Sequence, residues 1–264
     1  MIDPKLMKRI QNIKKARIRR FLLKTVLGLY LVFVLLVFYV VTLSVLSSFR
    51  YASTFPRTEG DDAGDASPEM TDLRSKRSFL EARMGLVSTD SVSLTVDLAD
   101  SLVTIEQNGV VLHTARIQSS SVSRVFGRME RKDVMAALAA PLTVKDSYST
   151  IDRKRYTLKV ASADSVGAAP MVTPDTSSRE TVCFRLGLDM GIQLDIRQAE
   201  TAEKDTLRRY KRAINHHDTW RIMNDLLAFR IPDYHPVIQV QIPEQDARVI
   251  YRALPVHARI ALRI

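Results

Sequence analysis

Residues 25–48, TVLGLYLVFVLLVFYVVTLSVLSS, carry no charged side chain over 24 consecutive positions. An α-helix rises about 1.5 Å per residue and a bilayer core is about 30 Å thick, so about 20 apolar residues suffice to cross it. A cleaved leader has an apolar region of only about 7–15 residues, shorter than this one, and no small-x-small cleavage site follows. A buried core helix would be apolar on one side, whereas this segment is apolar all round. The segment therefore predicts a permanent transmembrane helix. Ahead of it stand Lys5, Lys8, Arg9, Lys14, Lys15, Arg17, Arg19, Arg20 and Lys24 against the single acid Asp3. Basic flanks are retained on the cytoplasmic side. Residues 1–24 are thus expected to form a cytoplasmic tail, with Arg17, Arg19, Arg20 and Lys24 flanking the membrane, and residues beyond about 50 to lie outside.

This reading changes the meaning of the net charge of +10. The tail alone accounts for +8 of it, which leaves the outer part close to neutral. The basicity is a topology signal with some attraction to anionic headgroups. It gives no support to nucleic acid as a partner. Cys183 is the only cysteine, so no disulfide can form within the chain and an ordinary apolar core must hold the outer part together.

Residues 49–76 are rich in Gly, Pro, Asp and Ser without periodicity, and read as a flexible linker that lets the folded part stand off the membrane. A short helix is expected over about 78–84. From Val92 the apolar period becomes two, and Asn108-Gly109 between alternating runs is a strong hairpin signal because both turn positions need positive φ. An antiparallel meander follows over 92–118. A helix is expected over 124–139, strands over 141–151 and 153–162, a loop of small residues over 164–178, and a strand pair turning around Asp189 to Gly191. Residues 199–230 read as one charged helix, or two broken near His216-His217. Strand, helix and strand close the chain.

The segment SLTVDLADSLVTIEQNGVVLHTARIQSS resembles the first strands of the L,D-transpeptidase (YkuD-like) domain, the bacterial peptidoglycan cross-linking fold. APLTVKDSYSTIDRK resembles, more loosely, the Pro-containing segment that follows in that family. IPEQDARVIYRALPVHARIALRI is similar to the family's last helix and strand through Pro243, Asp246, Ala247, Tyr251, Leu254 and Pro255. The resemblance spans about 90–264. It implies a mainly-β (α+β) outer domain over 77–264, with the helical segment 199–230 inserted, on a single N-terminal transmembrane helix.

The family carries a His-Gly pair on one strand and a Ser-x-Gly-Cys-x-Arg motif before the Pro-x-x-Asp helix. Its chemistry is acyl transfer to a thiolate activated by the His, with the oxyanion held by amides and the Arg. Alignment back from Pro243 puts Gln239 in the place of the Cys and Gln241 in that of the Arg. Pro236, Val237 and Ile238 stand in the Ser-His-Gly stretch, and Asp195 or a neighbour occupies the place of the paired His. An amide cannot form a thioester, so the resemblance implies a pseudoenzyme with no catalytic residue.

No other group restores the reaction in this reading. Cys183 sits in an alternating strand, where a small side chain packs in the core. His216-His217 are adjacent and face different sides of a helix, which leaves no metal-ligand pair. His113 and His257 have no visible partners, and no phosphate-binding loop or cofactor motif occurs. Leu207, Tyr210 and Ile214 at helical spacing read as the packed face of an amphipathic helix with a solvated basic side; alternatively Arg208, Arg209, Tyr210, Arg212, Trp220 and Arg221 form a candidate binding surface on the inserted helix, since aromatic and Arg side chains are enriched at interface hot spots. Gly28, Ser44, Ser47 and Ser48 are small residues that suit close helix approach. The expected role is a non-enzymatic scaffold in the bacterial inner membrane. Its N-terminus would be cytoplasmic, and a periplasmic domain would bind peptidoglycan or other membrane or envelope proteins. A membrane-tethered module for a ligand or signal is the alternative, and a divergent Cys-dependent transpeptidase the third.

Overall fold

A computed structural model describes residues 4–55, 67–88, 90–153, 181–200, 203–228 and 230–264, without the side chains of 4–23 and 68. The expected strand over 153–162 and loop over 164–178 fall mainly on residues outside this set.

Helix α1 (Pro4–Ser53) contains the charge-free stretch. Within it Lys24–Ser53 is long and apolar enough to cross a membrane, with a mean hydropathy of 2.8 and none of its most apolar window buried. A core helix of a soluble protein would be mostly enclosed. Among the described residues, only its part from about Val40 onward approaches the rest of the chain. Ser47 and Tyr51, with Phe55 just beyond, are buried against the domain. The Tyr51 ring lies 5.3 Å from Phe55 and 5.7 Å from Tyr234.

The linker expectation needs correction at both ends. Helix α1 runs through residue 53, and α2 (Pro68–Val87) begins ten residues before the short helix expected at about 78. Its start is written in local chemistry that a composition count overlooks. Ser67 Oγ accepts from the Met70 amide at 3.3 Å, Pro68 opens the first turn, and Glu69 faces the positive helix end. Because Tyr51 and Phe55 enter the main core, the domain abuts the end of α1 instead of standing off from it.

The body is one curled mixed sheet. Its strands are β1 (Ser93–Asp97), β2 (Leu102–Gln107), β3 (Val110–Arg116), β4 (Ser119–Val122), β5 (Leu142–Ser149), β6 (Cys183–Leu188), β7 (Gln193–Gln198), β8 (Val237–Ile242) and β9 (Arg259–Arg263). They run in the spatial order β3-β2-β1-β9-β5-β6-β7-β8-β4. The pairs β1–β9 and β7–β8 are parallel. The meander is as expected, with Asn108 and Gly109 at φ 51° and 78°. Strands β3 and β4 are the two ends of the order, yet only Ile117 and Gln118 join them, so the sheet must curl until its edges approach. An irregularity between Val144 and Asp146 lets β5 pair first with β9 and then with β6, which joins the two halves.

The curl encloses an apolar core into which α5 (Glu244–Ala253) inserts Ala247, Ile250 and Tyr251. The expected helix over 124–139 shortens to α3 (Arg131–Leu138). On the outer surface α2 covers β1 and β9 through Phe79, Ala82 and Leu86 against Ala261. Helix α4 (Lys204–Leu227) is unbroken at His216-His217 and covers β6 and β7.

Candidate functional site

Alternation along β6 and β7 sends Phe184, Leu186, Leu194 and Ile196 inward, and Cys183, Arg185, Gln193, Asp195 and Arg197 outward beneath α4. Asp195 is fully buried there. Its Oδ2 takes Arg197 Nη2 at 2.5 Å and Arg185 Nη2 at 3.4 Å, and its Oδ1 accepts the Tyr210 hydroxyl at 2.9 Å. Arg185 also donates through Nη1 to Gln193 Oε1 at 3.0 Å and to Asp218 Oδ2 at 3.1 Å. A lone buried carboxylate would be costly, and these donors offset the lost hydration. Burial works against the Arg197 charge, and the hydrogen bond and charge of Asp195 more than offset it, so its pKa is raised. Burial, then the Asp195 charge, raises the Tyr210 hydroxyl and keeps it a neutral donor.

The structure brings Asp195 and Gln239 side by side, as register partners on parallel β7 and β8. Gln241 registers with Arg197 on one side and with Ser119 of β4 on the other, and is exposed. Cys183 is buried against Tyr210 and Ile214, and burial pushes its thiol up to about 11. It remains protonated at neutral pH.

The six residues expected to form one binding surface on α4 separate. Tyr210 is interior, at 1% exposure, and is corrected from a surface contact to a buried donor. Its spacing with Leu207 and Ile214 belongs to the packed face, and its hydroxyl needed the acceptor that Asp195 supplies. Arg208, Arg209 and Arg212 are exposed on the N-terminal half, Trp220 is exposed three turns on, and Arg221 turns toward the sheet. Lys24 is exposed on α1, while the side chains of Arg17, Arg19 and Arg20 lie outside the described set. His113, expected to be without a partner, has Nε2 2.9 Å from Asp246 Oδ1 and ties β3 to α5.

Beside the Asp195 network a cleft of about 380 Å³ opens between β5, β6, β7 and α4, lined by Asp146, Tyr148, Arg185, Gln193, His217 and Arg221. The Asp146 carboxylate lies over Gly187, where an added Cβ would stand 1.6 Å from its Oδ1, so only glycine admits this placement. Sequence reasoning missed the cleft because four separate elements build it. A signal did exist: Arg185, Asp195 and Arg197 are charges that alternate with apolar residues inside strands. Among the described residues no group of three or more His, Cys, Asp or Glu is placed to hold a metal ion.

The second surface of interest is the outward side of α2. Met70, Leu73, Leu80, Met84 and Val87 are all exposed, Met84 by 74%. Their three- and four-residue spacing places them in one stripe, interrupted by Arg77. Gly109, just before edge strand β3, approaches the Val87 side chain at the stripe's end, and Val110, Val111 and Leu112 that follow are exposed on alternating faces of that strand. Comparison with known proteins finds no matching family model, no matching characterised protein and no matching solved structure.

Proposed function

We propose that the chain is a non-catalytic, membrane-anchored subunit whose outer domain docks an envelope protein, with α1 as the anchor and its basic end cytoplasmic. In this reading the domain is a degenerate L,D-transpeptidase-like scaffold of a multi-protein complex on the periplasmic side of the bacterial inner membrane. The observation that carries the docking role is the exposed apolar stripe of α2, whose end lies by the β2–β3 turn. Folded proteins rarely leave a contiguous apolar surface open unless something covers it. Its spacing suits a partner helix, which would bury the stripe as one seam.

The absence of catalysis is supported by Gln239 beside Asp195, the positions that the resemblance gives to nucleophile and base. Asp195 is committed to two arginines and a tyrosine, and the buried, protonated Cys183 is no substitute. The reading is tested by cross-linking in intact cells, comparing the natural chain with an L80E/M84E variant. A partner recovered with the first and lost with the second, both folded and membrane-bound, is the expected result. Equal recovery would remove the stripe from the interaction.

A ligand-binding module is the second reading, and the cleft with the Tyr148 ring, Asp146 and Arg221 favours it. Retention on purified peptidoglycan, weakened by Tyr148→Ala, would move the function to the cleft.

A further inference from the structure

Helix α4 changes character along its length. Its first half is tied to the sheet through Leu207, Tyr210 and Ile214. Its second half presents Trp220, Ile222, Met223 and Leu227 to the outside, with exposures of 63, 41, 48 and 72%. Trp220, Met223 and Leu227 follow the i, i+3, i+7 spacing of one face, directed away from the sheet. Ile222 and Leu226 occupy a neighbouring face, and there the helix meets α1. A cavity of about 400 Å³ beside the two helices is lined by Val40 and Leu43 of α1 and by Ile222 and Leu226 of α4, with the charged Asp218, Arg221 and Asp233 on its domain side.

Those α1 residues set a depth. Val40 and Leu43 precede the end of the charge-free stretch at Ser48, which at the helical rise places them about 7–12 Å inside its outer limit. Interfacial helices bury their apolar face about 5–10 Å into the boundary between headgroups and acyl chains. The end of α4 is thus level with a part of α1 that cannot be in water if α1 crosses a bilayer. The densest basic run stands away from this end of the helix, while Arg221, Asn224 and Asp225 remain within it. Arg208, Arg209, Lys211 and Arg212 stand two to four turns back along α4, toward the headgroups and solvent, and tryptophan is the side chain enriched where membrane meets water.

We propose that the C-terminal turns of α4, through Trp220, Met223 and Leu227, lie in the outer leaflet of the bilayer that α1 crosses, so that the domain rests on the membrane at two points. This inference depends on α1 being a membrane helix. Lipid is the occupant because the exposed face stands beside the segment of α1 that lipid must surround.

Trp220 is the only tryptophan in the chain, so the natural protein reports on itself. The full chain is reconstituted into vesicles of phosphatidylethanolamine and phosphatidylglycerol, with or without acyl chains brominated near the headgroup. The expected result is at least about a twofold loss of tryptophan emission on shallow bromination, with protection from aqueous iodide, as for an indole at the interface. Iodide-accessible emission that bromination leaves unchanged would overturn the inference. So would emission protected from iodide but unquenched by brominated lipid, which would mean that protein covers Trp220, from a second copy or another chain. An F33W/W220F variant separates the premise from the inference. Quenching at position 33 by deeply brominated lipid, with none at 220 in the natural chain, overturns the α4 contact alone. No quenching at 33 overturns the reading of α1, and the inference with it.

Discussion

The two helices on the outer surface of the sheet solve the same problem with opposite charges. Under α4 one aspartate, Asp195, gathers Arg185, Arg197 and the Tyr210 hydroxyl. Under α2 one arginine, Arg263, gathers Asp72 at 2.6 Å, Asp97 at 3.1 Å and Asp100 at 3.5 Å. The surroundings differ. The side chains of Asp72 and Asp100 are 62% and 58% exposed and share their charge with water, whereas Asp195 and both its arginines are enclosed or nearly so. Helix α2 is fastened by Phe79, Ala82 and Leu86 in its second half and by the Asp72–Arg263 ion pair near its start, while α4 is fastened through Leu207, Tyr210 and Ile214 and through Asp218 on Arg185, with its last turns beyond these contacts. A helix held near both ends can present its other face as a rigid platform. A helix whose last turns lie beyond its sheet contacts can be held there by something else, and in the proposed arrangement that is the bilayer beside α1.

The sharpest way to break the contrast is Asp195→Ala, which leaves two arginines without their enclosed counter-charge. It is expected to cost about 3–5 kcal/mol in denaturant unfolding. A loss under 1 kcal/mol would mean that the network is hydrated and the face beneath α4 is open. Arg263→Ala removes the matching hub under α2. Because two of its three carboxylates are already solvated, the expected cost is smaller, about 2 kcal/mol by the same measurement.

The pH dependence separates the faces again. Burial raises the Cys183 thiol from 9.0 to about 11. A group whose pKa is raised on folding stabilises the fold below its ordinary pKa and loses that contribution as pH rises through the folded value. Stability should therefore fall by about 2 kcal/mol between pH 9 and 11, a shift of one unit being worth about 1.4 kcal/mol. Tyr210, also raised, adds to the decline above about pH 10. In Cys183→Ala the decline should begin nearer pH 10, and an unchanged onset would place the thiol in contact with water. The smallest effect is that of Tyr210→Phe, about 1.5 kcal/mol for a hydrogen bond to a charged group.

Much of the sheet was legible because its rules are local. Asn108-Gly109 specified the meander turn, and the alternating runs around Asp189 to Gly191 specified the β6–β7 pair. The linker was misjudged where a cap, a proline and an acid at 67–69 outweighed composition. Tyr210 was misjudged for a different reason. Periodicity placed it on the packed face, but the partner that makes burial of its hydroxyl tolerable lies fifteen residues back on another strand. The docking of Tyr51 and Phe55 against Tyr234 and the four-element cleft depend on the curl of the whole sheet, which no window of sequence contains.

The central claim is that the open stripe of α2 is where a partner sits. Its most direct test is a photo-cross-linking side chain introduced at Leu80, compared with one at the exposed Lys204 of α4, in intact cells. The docking reading predicts a discrete protein adduct from position 80 and none from position 204. Adducts from both alike, or from position 204 alone, would contradict it.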